Sequence, residues 1–238
     1  MNWVSKVDIF LYINLEDRPE RDAEMKQVLR EQFALPSGKI HRINAIRDFP
    51  GSIGCTKSHL KALQFAIEAK AQYACLLEDD FMLTVDPKTF HKKVNQGWEE
   101  LKGEFDVMFL TMTPIQLEAQ NTPGFHRVLQ ALAMPALVVH HRYFTKLKAI
   151  YETALRKKDP HDMVTQQYQR YDHWYGFYPA LARQRPGFSD IEGRNVDYGY
   201  LDVDAVMLKD KPTLPPPTPT YTGPCQVSNP WMGKIIVQ

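Results

Sequence analysis

Residues 73–81 read Tyr73-Ala74-Cys75-Leu76-Leu77-Glu78-Asp79-Asp80-Phe81. An apolar run of this length predicts a buried parallel strand. Its abrupt end in three successive carboxylates decides how the rest of the chain is read. Carboxylates gathered at the end of a buried element are costly unless they find a partner. A divalent cation is the usual partner, because hard cations take oxygen ligands and open α/β sheets bind ligands at the carboxyl ends of their strands. If strand geometry persists, Glu78 and Asp80 face one side and Asp79 the other, and the cation would bridge two phosphates of a nucleotide. The alternative is a solvated strand end that caps a helix.

Working outward, strands and helices alternate up to about residue 105. Val7 to Asn14 is a short apolar run ending in a polar residue, and Lys39 to Ile46 alternates like a second strand. Between them, Met25, Val28 and Leu29 recur at helical spacing, and Pro19 suits a first helical turn. Phe49 to Gly54 reads as loop with Ser52 as a helix cap, and Leu60, Leu63 and Ile67 share one helix face. Beyond the carboxylates, residues 87–101 read as helix and 105–111 as strand. Residues 113–124 read as a mobile loop, and 125–129 and 136–140 as two strands that pair. Residues 143–154 and 164–171 read as helices, and 177–182 as strand. This pattern predicts an α/β fold with a mostly parallel central sheet flanked by helices over residues 1–210. Five prolines at 212, 215, 216, 217 and 219 set residues 211–238 apart as a Pro-rich tail.

Bulk properties narrow the function classes. The chain has 238 residues, 44% hydrophobic and 24% charged, an ordinary globular balance. A formal net charge of +1 gives no argument for a nucleic-acid or membrane partner, and none is expected. No apolar stretch approaches the ~20 residues of a transmembrane segment. The three cysteines do not form a disulfide framework, and Cys55 and Cys75 read as small core residues. With no signal-peptide pattern at the start, a cytoplasmic location is expected.

Polar residues gather just past the predicted strand ends. Asn14, Arg18 and Arg21 follow the first strand, where arginines suit phosphates or a base; an ordinary charged helix start explains them equally. Gly54, Ser58 and His59 open a helix, where free amides attract anions and Ser58 and His59 suit a ribose, a sugar or a phosphate. The plain alternative for His59 is a satisfied core histidine. Asp172 lies among Tyr171, His173 and Trp174, and Asp190 follows a turn-rich segment. Each is a candidate general base, and turn chemistry is the alternative for both. His140 and His141 are adjacent and, on a strand, would face opposite sides, so they are discounted as a metal pair. There is no GxxxxGK[ST] phosphate loop, GxSxG elbow or paired CxxC.

Together, Ile13-Asn14-Leu15 with Arg18, Arg21 and Met25, then Gly54-Cys55 with Ser58-His59, then Leu77-Glu78-Asp79-Asp80, resemble glycosyltransferase family 25 in order and spacing. That family includes bacterial lipooligosaccharide sugar transferases and procollagen galactosyltransferases. A narrower likeness is to the GT-A domains of large DNA viruses, which would put the chain in a host cytoplasm. The resemblance implies a GT-A fold, a UDP-sugar donor, Mn²⁺ (or Mg²⁺), an inverting mechanism and a glycan or glycoprotein acceptor. Glu78-Asp79-Asp80 would take the place of that fold's Asp-x-Asp motif. Asp80 would ligate the metal, and Glu78 would approach the ribose or the metal's surroundings. Asn14, Arg18, Arg21, Ser58, His59 and Asp79 would line the nucleotide pocket. Asp172, then Asp190, is nominated as the base that takes the acceptor proton. Two other classes stay open: a nucleotidyltransferase using the same strand-end carboxylates, and a non-catalytic sugar-binding module.

Overall fold

The computed structural model describes residues 2–198 and 206–208. The Pro-rich tail, Trp231 and Cys225 lie outside the described residues. A short helix α1 (Trp3–Lys6) leads into β1 (Ile9–Asn14), α2 (Pro19–Gln27), β2 (Ile40–Asn44), α3 (Gly51–Glu68), β3 (Tyr73–Glu78), β4 (Phe81–Leu83) and α4 (Pro87–Leu101). The second half contributes β5 (Val107–Ala119), β6 (Phe125–His140), α5 (His141–Lys157), α6 (His161–Gln169), β7 (Trp174–Phe177), β8 (Ala182–Gln184), β9 (Gly187–Ser189), β10 (Arg194–Val196) and β11 (Val206–Leu208).

The central sheet has the order β11-β5-β7-β6-β3-β1-β2, with β5 also pairing β6. The pairs β1–β2, β1–β3, β5–β7 and β5–β11 are parallel, and β6 runs antiparallel to β3, β5 and β7. Helices cover both faces. The α/β architecture with a mostly parallel sheet is therefore the one expected from the alternation.

Burial on both faces explains why β1 and β3 read as continuous apolar runs. Phe10, Tyr12, Cys75 and Leu77 pack into an aromatic-rich core with Trp3, Phe33, Phe90 and Trp98 from α1, α4 and the segment following α2. Their alternate neighbours Leu11, Ile13, Ala74 and Leu76 pack into a second core with Leu63, Leu147 and Tyr151 from α3 and α5.

Four expectations change. α3 starts at Gly51 behind Pro50, so Ser52 sits inside the first turn and caps nothing. Residues 113–119 are strand, because β5 continues through several register shifts alongside β6. Bulges scramble the period-two pattern that would have revealed this strand. Residues 125–129 and 136–140 are two ends of the single strand β6, with Ala133 at positive φ between them. The strand expected at 177–182 is split into β7 and β8, with Pro179, which has no N–H to offer a ladder, between them.

Candidate functional site

β1 and β3 are adjacent and parallel, so Ile13 lies beside Glu78 and the segments after both strands leave one edge together. α3 closes the third side. Gly54 makes this approach possible: a Cβ there would stand 2.4 Å from the Ile46 carbonyl oxygen and 2.9 Å from the Asp48 nitrogen. Ser58 fastens the same contact. Its buried hydroxyl donates to the Gly54 carbonyl at 2.7 Å and accepts from the Ile46 N–H at 2.7 Å. Ser58 lines the cavity, but its hydroxyl is committed to holding residues 45–48 on α3.

The result is a cavity of about 160 Å³ at the carboxyl edge of β1 and β3. Glu78, Asp79, Asp80, His59 and Cys55 line its floor, and Gly187 to Ile191 form its outer wall. β3 ends at Glu78, and Asp79 and Asp80 form the turn that follows, so the division of the carboxylates comes from the turn and not from strand alternation. Asp79 turns toward β1, accepting from Asn14 Nδ2 at 2.8 Å and pairing with Arg21 Nη1 at 2.9 Å. Burial raises its carboxyl, and the bonds to Asn14 and Arg21 pull it back. Glu78 and Asp80 share the other side, where Gln184 Nε2 from the end of β8 donates to Glu78 Oε2 at 3.3 Å and Asp80 Oδ2 at 3.2 Å. Asp80 Oδ1 is buried and has no partner among the described residues. Burial, then the charges of Glu78 and Asp79, push the Asp80 carboxyl up to about 8.

Arg21 Nη2 also donates to the Phe188 carbonyl at 2.8 Å, tying the outer wall to α2. Arg18 pairs with Asp190 Oδ2 at 3.0 Å and lies over the Phe188 ring. Arg47 holds the other Asp190 oxygen at 3.1 Å and grips Asp17 through two bonds. Asp190 therefore stands on the cavity wall, clamped between two guanidiniums. His59 is fully buried, with Nε2 3.0 Å from Glu78 Oε1. Cys55, expected as a core residue, is half-buried and faces the cavity; Cys75 is the buried core residue expected.

Asp172 lies away from this cavity. It precedes β7, whose first residue Trp174 pairs with Val107 at the start of β5. Val107 and Tyr73, the first residue of β3, pair with Val139 and His140 of β6. Asp172 thus sits at the amino edge of the sheet, about 17 Å of strand from Glu78. There it accepts from Tyr143 Oη at 2.7 Å and pairs with Lys146 at 2.6 Å. His140 and His141 share that edge, and His140 caps α5 through the Arg142 N–H.

Sequence reasoning missed Gln184, Arg47, Arg185 and His161. Arg185 pairs with Glu24, and its N–H donates to the Asp80 carbonyl at 2.6 Å. The strand-end rule that found Asn14 and Glu78 applies to Gln184 and Arg185 once β8 is placed. The same rule reaches Arg47, just past the end of β2, whereas His161 has no such signal and is carried beside His59, behind the cavity, by the fold alone.

Residues 50–122 match the model of glycosyltransferase family 25 (LPS biosynthesis protein). The matched segment holds α3 with Gly54, Ser58 and His59, all of β3, and the three carboxylates. It is a minority of the chain and leaves out β1, Arg18, Arg21 and the outer wall. No curated protein matches the chain significantly in sequence. Among solved structures, mannose-1-phosphate geranyltransferase from Thermus thermophilus is similar at 10% identity, covering 71% of this chain and 72% of that one, with a TM-score of 0.40. A197 from STIV is similar at 11% identity, covering 79% and 93%, with a TM-score of 0.42. Among the described residues, no helix is long and apolar enough to cross a membrane.

Proposed function

We propose that the chain is a metal-dependent, inverting glycosyltransferase that moves a sugar from a UDP-sugar to a hydroxyl of a glycan or glycoprotein. The family 25 match supports sugar transfer, and the carboxylate arrangement supports the metal and the diphosphate. The observation that carries the reading is the Glu78–Asp80 pair, held on one side by Gln184, with a buried Asp80 oxygen that lacks a partner among the described residues. Hard oxygen donors fit Mn²⁺ or Mg²⁺. When bound, such a cation offsets the negative charge that grows on the leaving diphosphate.

The remaining steps belong to the chain itself. Asp79, paired with Arg21 and hydrogen-bonded by Asn14, ties down the turn that carries Asp80. Arg47 lines the cavity and Arg18 stands just outside its lining, both paired with Asp190, and either would suit phosphate oxygens once that pairing loosens. A cavity of about 160 Å³ is smaller than the ~300 Å³ at which ligand pockets begin. A donor that outgrows this cavity would press on the β9–β10 segment and loosen the clamp on Asp190. Released from the two guanidiniums, the Asp190 carboxylate would be free to accept the acceptor proton. Phe188 and Ile191, both exposed on this segment, offer apolar surface to a sugar face.

A thermal-shift panel tests the reading. At a ligand concentration 100-fold above Kd, binding to the folded form adds about 2.7 kcal/mol, roughly 5–11 °C for a chain of this size. UDP-sugars with Mn²⁺ should give this shift, ATP should not, and Asp80→Asn should remove the Mn²⁺ dependence. Absence of any UDP-sugar shift, or Mn²⁺ dependence retained in Asp80→Asn, overturns the reading. Product analysis separates the alternatives: UDP for sugar transfer, pyrophosphate for nucleotidyl transfer, and binding without turnover for a sugar-binding module.

A further inference from the structure

Behind the carboxylates lies a second cluster of different chemistry. One donor atom from each of Cys55, His59 and His161 falls within 4.8 Å of the other two. Cys55 and His59 come from α3, four residues apart and so on one helix face; His161 is the first residue of α6. The two imidazoles lie 4.6 Å apart between ring centres, and His59 is fully buried while His161 is 5% exposed.

Hydrogen bonding decides the tautomer of each ring. The Thr56 hydroxyl spends its proton on the Ser52 carbonyl at 2.8 Å. Its oxygen can then only accept from His161 Nδ1 at 3.3 Å, which leaves the lone pair on Nε2. The Glu78 carboxylate accepts from His59 Nε2, which leaves the lone pair on Nδ1. His161 Nε2 and His59 Nδ1 are both buried without a partner among the described residues. Two interior lone pairs facing no donor are costly by themselves. An imidazole with one nitrogen held by an oxygen and the other free is the arrangement that surrounding groups impose on metal-binding histidines.

We propose that Cys55, His59 and His161 bind one zinc-like transition-metal ion, at a site separate from the Glu78–Asp80 cation site. Two nitrogens and a thiolate select Zn²⁺ over Mg²⁺ or Mn²⁺, which prefer all-oxygen shells. Bond lengths of about 2.0–2.3 Å put tetrahedral ligand atoms about 3.3–3.7 Å apart, so donors at most 4.8 Å apart would close in by no more than about 1.5 Å when the ion binds. Cys55 and His59 line the cavity, which gives the ion a route in. Binding replaces the thiol proton, which leaves to solvent. The buried Tyr151 hydroxyl, also without a partner and packed against both imidazoles, borders the site. The pairing of His59 with Glu78 links this ion to the carboxylate trio. It places the new site behind the donor cavity, where it would stiffen the α3–α6 contact.

Cobalt(II) titration of the full chain, stripped with a chelator, tests the proposal without an activity assay. One equivalent should give a thiolate-to-cobalt charge-transfer band and tetrahedral visible bands, both displaced by Zn²⁺. Cys55→Ser should abolish the charge-transfer band, and His161→Gln should abolish the tetrahedral spectrum. Thr56→Val, which removes only the orienting oxygen, should weaken affinity about 10–100-fold. Asp80→Asn should leave the cobalt spectrum intact, and His161→Gln should keep the Mn²⁺-dependent UDP-sugar shift, so the two sites fail independently. Circular dichroism identifies any variant that does not fold; in that case the wild-type spectrum and its Zn²⁺-dependent thermal shift decide. A folded wild-type chain with no charge-transfer band, or a band that survives Cys55→Ser, overturns the proposal.

Discussion

The Arg21–Asp79 pair offers a quantitative test of how the site is held. Its side chains are 17% and 12% exposed, so it is neither a surface pair nor fully desolvated. At about 4 Å between charge centres and an effective dielectric near 20, the attraction is about 4 kcal/mol before desolvation is subtracted. Removing one partner from a fully buried pair costs about 3–5 kcal/mol. Asp79 keeps its bond from Asn14 at 2.8 Å, which softens the loss. Arg21→Met should therefore destabilise the chain by about 2–3 kcal/mol. Asp79→Asn should cost about 1 kcal/mol, because it retains an acceptor and Arg21 retains the Phe188 carbonyl. The double variant should cost less than the sum, giving a coupling energy of about 2 kcal/mol. Urea unfolding in cation-free buffer measures all four corners of the cycle, provided the slope m stays constant. A coupling below about 0.5 kcal/mol, the level of an exposed pair, would refute the claim that this bond holds the carboxylate loop in place.

Other outcomes follow from single features. Gly54→Ala should destabilise the chain by about 1–3 kcal/mol despite better helix propensity, because its Cβ meets the backbone of residues 46 and 48; a stabilised variant in thermal melts would contradict that contact. Asp172→Asn should leave transfer and donor affinity unchanged and cost about 1 kcal/mol through its bond to Tyr143; a large loss of turnover would restore it as a catalytic group. Asp190→Asn should slow transfer while leaving the UDP-sugar thermal shift in place; wild-type turnover would remove it as the base. Burial lowers His126, which donates to the Tyr178 carbonyl. Its folded-state value lies below the unfolded one near 6.5, so the stability it confers is present above pH 6.5 and is lost as pH falls through the folded value. The slope is at most about 1.4 kcal/mol per pH unit, and His126→Gln, which keeps a donor, should flatten it below about pH 6.5; parallel melting profiles for the two proteins would count against the assignment.

Local chemistry alone determined β1, β3, α3 and α4, because a strand buried on both faces must be continuously apolar and α4 carries an Asp86 cap followed by Pro87. The same local logic located the carboxylate trio, whereas the turn after β3 put Glu78 and Asp80 on one side. Only the folded chain decided which partners those side chains meet. Asp172 and Asp190 both sit near turns, and nothing within either turn says which edge of the sheet it occupies. Strand direction settles it, since β7 begins where β3 begins and β8 ends beside Asp80. The cluster of Cys55, His59 and His161 was illegible for the same reason: His161 lies more than a hundred residues from its partners, and long-range packing of α6 on α3 and α5 leaves no trace in residue spacing.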